Sequence, residues 1–98
     1  MMIQGFYDKG TEDIFNGVDS VKARKTCPKG IWDVARRKLD LMNAAQGLQD
    51  LKSPPNNRLK PLDGNRKGQH SIRINDQFRI CFIWTTNGPG RIEITDYH

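Results

Sequence analysis

His70-Ser71-Ile72-Arg73-Ile74-Asn75-Asp76-Gln77-Phe78-Arg79-Ile80-Cys81-Phe82-Ile83-Trp84 is the stretch that decides the fold. β-Branched and aromatic residues flank the turn dipeptide Asn75-Asp76, so the segment predicts an antiparallel hairpin. With a side-chain period of two, Phe78, Ile80 and Phe82 share one face, and Gln77, Arg79, Cys81 and Ile83 share the other. Arg79 is then a guanidinium among apolar neighbours on an inner strand, a placement that demands a partner.

Working outward, Asn87-Gly88-Pro89-Gly90 turns the chain into a last strand, Arg91-Ile92-Glu93-Ile94-Thr95, which runs into Asp96-Tyr97-His98. A tail with a carboxylate, a phenol and an imidazole matters only if a sheet pins it. Upstream, residues 58–62 form a short strand interrupted by Pro61, hence an edge. Asp63-Gly64-Asn65-Arg66-Lys67-Gly68 reads as a turn-rich loop. In residues 31–51 the apolar side chains Ile31, Val34, Ala35, Leu39, Met42, Ala45 and Leu48 recur three or four apart, the stripe of a long amphipathic helix. Gly47 weakens its last turns, and Ser53-Pro54-Pro55-Asn56-Asn57 stops it. Residues 11–17 predict a short helix with Thr11 as N-cap and Gly17 as its close. Residues 3–7 read as a first strand and residues 18–30 as a mobile basic loop. The order describes an α+β fold, two N-terminal helices packed on one face of a small antiparallel sheet.

The 98 residues suit one domain with a modest core. At 36% hydrophobic and 28% charged, the chain is expected to be compact and not disordered. No apolar run approaches the ~18–20 residues of a membrane helix, and no signal peptide is visible, so the expected location is the cytoplasm with no membrane partner. Cys27 and Cys81 are too few and too far apart for a disulfide framework or zinc knuckle. Both read as free thiols, with Cys81 in the core. The formal net charge of +5 favours an anionic partner. Residues 52–79 concentrate it, with seven Lys or Arg against two acids. Lys60, Arg66, Lys67, Arg73 and Arg79 are enough to build a basic face for phosphates, with Arg58 beside them. Lys52 and Arg91 read as solvated surface.

Cleaving RNA without a metal requires activation of the 2′-hydroxyl, stabilisation of the phosphorane and a proton for the leaving 5′-oxygen. Each task has candidates here. His98 suits acid or base work, since an unperturbed imidazole titrates near ~6.5. Asp96 can accept or orient a proton, Arg79 and Lys60 can stabilise the transition state, and Tyr97 can stack on a base. A metal site built from His70, His98 and Asp96 has no recognisable ligand spacing. His70, opening a strand beside a Gly-rich turn, reads as structural.

Three segments together resemble the HigB toxins of the RelE/ParE superfamily, with a similarity close to the GraT-like branch. They are Arg58-Leu59-Lys60-Pro61-Leu62-Asp63-Gly64-Asn65-Arg66-Lys67-Gly68, then Ser71-Ile72-Arg73-Ile74-Asn75-Asp76-Gln77-Phe78-Arg79-Ile80-Cys81-Phe82, then Glu93-Ile94-Thr95-Asp96-Tyr97-His98. The resemblance implies the RelE-like microbial-ribonuclease fold and a ribosome-dependent endoribonuclease that cuts mRNA in the A site, with no metal or organic cofactor. It also implies as partners the 70S ribosome, mRNA and a HigA-like helix-turn-helix antitoxin, through whose complex alone the toxin meets operator DNA. Asp96 and His98 match the catalytic tail, Tyr97 its aromatic position, and Arg79 the strand arginine at the scissile phosphate. One position departs. Lys60 stands where other members carry histidine, and an unperturbed lysine pKa of ~10.4 makes a poor base at neutral pH. His98 and Asp96 are then the expected proton carriers. The alternative functions are a ParE-like gyrase poison and a non-catalytic ribosome- or RNA-binding toxin.

Overall fold

The computed structural model describes residues 2–96. Its centre is the expected hairpin, β2 (His70–Arg73) and β3 (Phe78–Thr85), closed by Asn75, whose side-chain oxygen accepts the backbone N–H groups of Gln77 at 2.9 Å and Phe78 at 2.7 Å. The edge strand β1 (Lys60–Pro61) and the last strand β4 (Gly88–Asp96) complete an antiparallel sheet of order β1-β2-β3-β4. β1 is only two residues long because Pro61 cannot donate to a ladder, and it covers just the His70–Ser71 end of β2.

Three α-helices lie on one face of this sheet: α1 (Lys9–Asn16), α2 (Val21–Thr26) and α3 (Trp32–Ala44). The core forms between them, from Ile72, Phe78, Ile80, Phe82, Ile92 and Ile94 of the sheet and Ile14, Ala35, Leu39 and Met42 of the helices. The α+β architecture therefore stands as read from the pattern, and it is consistent with a RelE-like fold.

Four expectations change in detail. Thr11 is not an N-cap: Asp8 takes that role, accepting the Thr11 N–H at 2.7 Å, and α1 starts three residues early. This frees the buried Thr11 hydroxyl oxygen to accept the Ile94 N–H at 3.1 Å and tie α1 to β4. Gly17 does close the helix in a left-handed conformation, φ 77°. The expected mobile loop contains α2, started by Ser20, whose hydroxyl oxygen accepts the Ala23 N–H at 3.0 Å. α1 and α2 approach so closely that a Cβ on Gly10 would lie 1.9 Å from Thr26 Oγ1 and 2.6 Å from the Lys22 carbonyl oxygen.

The long helix ends at Ala44, well before the prolines. Ala45 turns extended, and the Asp50 carboxylate accepts the Gln46 N–H at 2.8 Å, starting a separate 3₁₀ turn, Leu48–Lys52, that still buries Leu51. The expected first strand is a segment running parallel to β4 with a single bridge, Phe6 to Ile92. It cannot extend as a ladder because Arg91 is left-handed, φ 49°, and the β3–β4 register shifts between Cys81 and Ile83.

Candidate functional site

The sheet face turned away from the helices carries the expected basic residues in two rows set by strand register. Across one row stand Lys60, Ser71, Cys81 and Glu93; across the next stand Arg73, Arg79 and Thr95. Cys81 and Ser71 are fully buried at the floor, while Lys60 is exposed at the rim. Arg66 reaches in from the 3₁₀ turn Gly64–Arg66 and pairs with Glu93 at 3.0 Å, also contacting Gln69 at 3.1 Å.

Arg73 and Arg79 are direct cross-strand partners, an arrangement that repulsion disfavours unless each charge is answered. Arg73 pairs with Asp76 in the turn. Arg79 donates from Nε to Ser71 Oγ at 2.8 Å and from Nη2 to the Arg58 carbonyl oxygen at 2.9 Å. That carbonyl is aimed by an unusual backbone, since Arg58 is left-handed, φ 48°. The turn before it rests on the buried Asn57, whose amide donates to the Leu51 and Ser53 carbonyls at 3.2 Å each and whose oxygen accepts from Lys38. The Ser71 hydroxyl and the Arg58 carbonyl thus both orient the Arg79 guanidinium on this face.

The arrangement brings together Lys60, Arg66, Arg73 and Arg79, with the Arg58 backbone, and leaves Lys67 and the Arg58 side chain exposed at the periphery. Asp96 lies elsewhere. It pairs with Phe78, so its side chain belongs to the helix side of β4, one residue past the Arg79–Thr95 pair. There it accepts from Gln77 Nε2 at 2.9 Å and borders a cleft of about 500 Å³ shared with Arg24, Thr26, Cys27 and Phe78. Tyr97 and His98 fall outside the described residues.

Ser71, Asn57 and Glu93 are the site residues that sequence reasoning missed. Ser71 had a signal, a small hydroxyl on the face of the hairpin that carries Arg79. Asn57 had none, because its contacts come from segments far apart in sequence.

His70 packs on Phe82 with ring centroids 6.2 Å apart, and its buried Nδ1 has no hydrogen-bond partner among the described residues. Both cysteines are free and buried. Burial pushes the Cys27 thiol up to about 11 and raises the Cys81 thiol as well, so neither is a ready thiolate. Among the described residues no group of three His, Cys, Asp or Glu side chains converges as a metal site, and no helix is long and apolar enough to cross a membrane.

Comparison with known proteins gives the family. The chain is 40% identical to Toxin HigB-1 of Vibrio cholerae over 79 residues, 81% of this chain and 80% of that one. It is also 37% identical over 60 residues to an uncharacterized protein of Haemophilus influenzae, 61% of this chain and 59% of that one. A family model described as the RelE-like toxin of type II toxin-antitoxin system HigB matches residues 4–98, and the chain therefore belongs to the HigB family of RelE-like toxins.

Proposed function

We propose that this toxin is a ribosome-dependent endoribonuclease that cuts mRNA in the A site and that its basic sheet face holds the scissile phosphate. The observation that carries the reading is the Arg73–Arg79 cross-strand pair, with Arg79 fixed by the Ser71 hydroxyl and the Arg58 carbonyl. A phosphate beside these cations gains charge-assisted hydrogen bonds from a guanidinium already oriented by the Ser71 hydroxyl and the Arg58 carbonyl.

In the proposed reaction the 2′-hydroxyl oxygen bonds to phosphorus and loses its proton to a general base. The bond from phosphorus to the 5′-oxygen breaks, and a general acid protonates that oxygen, leaving a 2′,3′-cyclic phosphate and a 5′-hydroxyl. Arg79 and Lys60 stabilise the dianionic phosphorane. His98 and Asp96 are assigned the proton transfers and Tyr97 a stacking contact with a base. Arg58, Arg66, Lys67 and Arg73 track the flanking phosphates. Asp96 accepts or orients a proton in this scheme, from the end of β4 one residue past the Arg79–Thr95 pair.

The ribosome supplies the mRNA in the A site. A HigA-like helix-turn-helix antitoxin neutralises the toxin and carries the complex to operator DNA, and the site of action is the cytoplasm. The test is growth arrest together with mapped mRNA ends in cells producing the wild type, Arg79→Ala or His98→Ala. New mRNA ends in codons of the A site with the wild type, lost in either variant, are the expected outcome. Arrest by the wild type with uncut mRNA would overturn the nuclease reading and leave a gyrase poison or a binding-only toxin.

A further inference from the structure

α3 has a second stripe beside its core stripe. Val34, Arg37, Lys38 and Leu41 follow the i, i+3, i+4, i+7 spacing and so share one face of the helix. That face borders the end of β2 that the short β1 leaves uncovered, and with Arg73 and Ile74 it lines a cleft of about 390 Å³. Its floor is apolar, from Val34, Leu41 and Ile74, and its rim is cationic, from Arg37, Lys38 and Arg73.

We infer that this cleft is a docking site for an acidic amphipathic segment of a protein partner, with apolar side chains between Val34 and Leu41 and carboxylates against Arg37, Lys38 and Arg73. A type II toxin has such a protein partner in its antitoxin. The inference rests on that family membership and not on RNA cleavage.

Charge complementarity identifies the occupant. Arg37 is exposed and has no ion-pair partner among the described residues. Burial, together with the charges of Arg37 and Arg73, pushes the Lys38 ammonium below the ordinary lysine range, while the acceptor it contacts is the neutral Asn57. With Arg73 paired to Asp76, the charges of Arg37 and Lys38 are the ones that no ion pair among the described residues answers, and an incoming carboxylate meets them on a partly desolvated floor. The lining favours protein over single-stranded RNA. Among the described residues no aromatic ring borders the cleft to serve as a stacking platform for unpaired bases, whereas aliphatic side chains flank two cations along one helix face as a groove for an amphipathic segment requires.

The test uses a labelled peptide of repeated Glu-Leu-Leu-Glu, a Gln-for-Glu version, a Ser-for-Leu version and a single-stranded uridylate oligonucleotide. Binding is read by fluorescence anisotropy and by amide shifts in NMR spectra. The Glu-Leu peptide should bind and move the amides of Val34, Arg37, Lys38, Leu41 and Ile74. Both altered peptides, and Arg37→Glu, should weaken it by about tenfold or more. Arg37→Gln should weaken it less, and thermal melts should show both Arg37 variants folded, as expected for an exposed site. The oligonucleotide should bind Arg37→Glu as it binds the wild type.

Three results would overturn the inference. These are equal peptide affinity in Arg37→Glu, equal affinity for the Ser-for-Leu peptide, or displacement of the peptide by the oligonucleotide with the same amides moving. None of them bears on whether mRNA is cut, which the mapped ends decide separately.

Discussion

The Ser71 hydroxyl and the Arg58 carbonyl both help to set the pose of Arg79, so the clearest residue-scale tests leave the arginine in place. Ser71→Ala removes the acceptor of its Nε and frees the guanidinium to rotate. If Arg79 stabilises the phosphorane, the cleavage rate should fall by about tenfold, the value of one weakened charge-assisted hydrogen bond, with a stability loss of only about 1 kcal/mol. Ser71→Thr, which keeps the hydroxyl, should recover most of the rate; a structural role alone would show equal losses in melting temperature and no such recovery. Arg58 offers a backbone test. Its left-handed conformation costs a side-chain-bearing residue about 1 kcal/mol and costs glycine nothing of the kind. Arg58→Gly should therefore keep or slightly raise the melting temperature, and Arg58→Val should lower it, because a β-branched residue is least tolerant of positive φ.

At the scale of elements, the α1–α2 contact is the most exacting. Gly10→Ala places a methyl group against Thr26 Oγ1 and the Lys22 carbonyl, and should destabilise the fold by about 1–3 kcal/mol in urea melts. Adding Thr26→Ala should not restore it, since the backbone carbonyl remains 2.6 Å from the new atom. The same junction sets an acid sensitivity. The Ser20 hydroxyl, donating to Asp13 at 2.6 Å, and the Lys9 ammonium at 3.3 Å hold the Asp13 carboxyl below its ordinary value of 3.8. Folding thus favours the carboxylate, so this stabilisation is present above pH 3.8 and is lost as the pH falls through the lower folded value. Asp13→Asn should flatten that part of the urea-midpoint profile.

These elements also show what the sequence makes legible. The hairpin around Asn75, the edge strand at Pro61 and the core faces of Phe78, Ile80, Phe82, Ile92 and Ile94 follow from period-two alternation and turn chemistry, which are local signals. α2 was illegible because its six residues bury only Ala23, too little for an apolar stripe, and its order comes from the Ser20 cap and from packing against Gly10. The apolar spacing overstates the length of α3, because it continues through Ala45 and Leu48 after the backbone has turned at Asp50's contact with Gln46. In the candidate site, the grouping of Arg79 with Lys60 and Arg73 could be read from register, whereas Asn57 and the Arg58 carbonyl depend on a turn that only tertiary packing defines.

Across the whole molecule, the sheet divides two environments: an apolar side covered by three helices and an open side where Lys60, Arg66, Arg73 and Arg79 surround Ser71 and Glu93. The proposed nuclease activity belongs to the open side, and the proposed protein docking to the α3 border beside it. Binding to programmed ribosomes should accordingly weaken as salt rises, in proportion to the phosphates contacted, and Arg66→Ala and Lys67→Ala should each reduce that salt slope by about one contact. Single-turnover cleavage of A-site mRNA by the purified toxin on programmed ribosomes tests the central claim most directly. The wild type should cleave, and Arg79→Ala should cleave about 10²- to 10³-fold more slowly at saturating toxin, as expected for loss of a preorganised transition-state donor. Cleavage by Arg79→Ala at the wild-type rate would contradict the account.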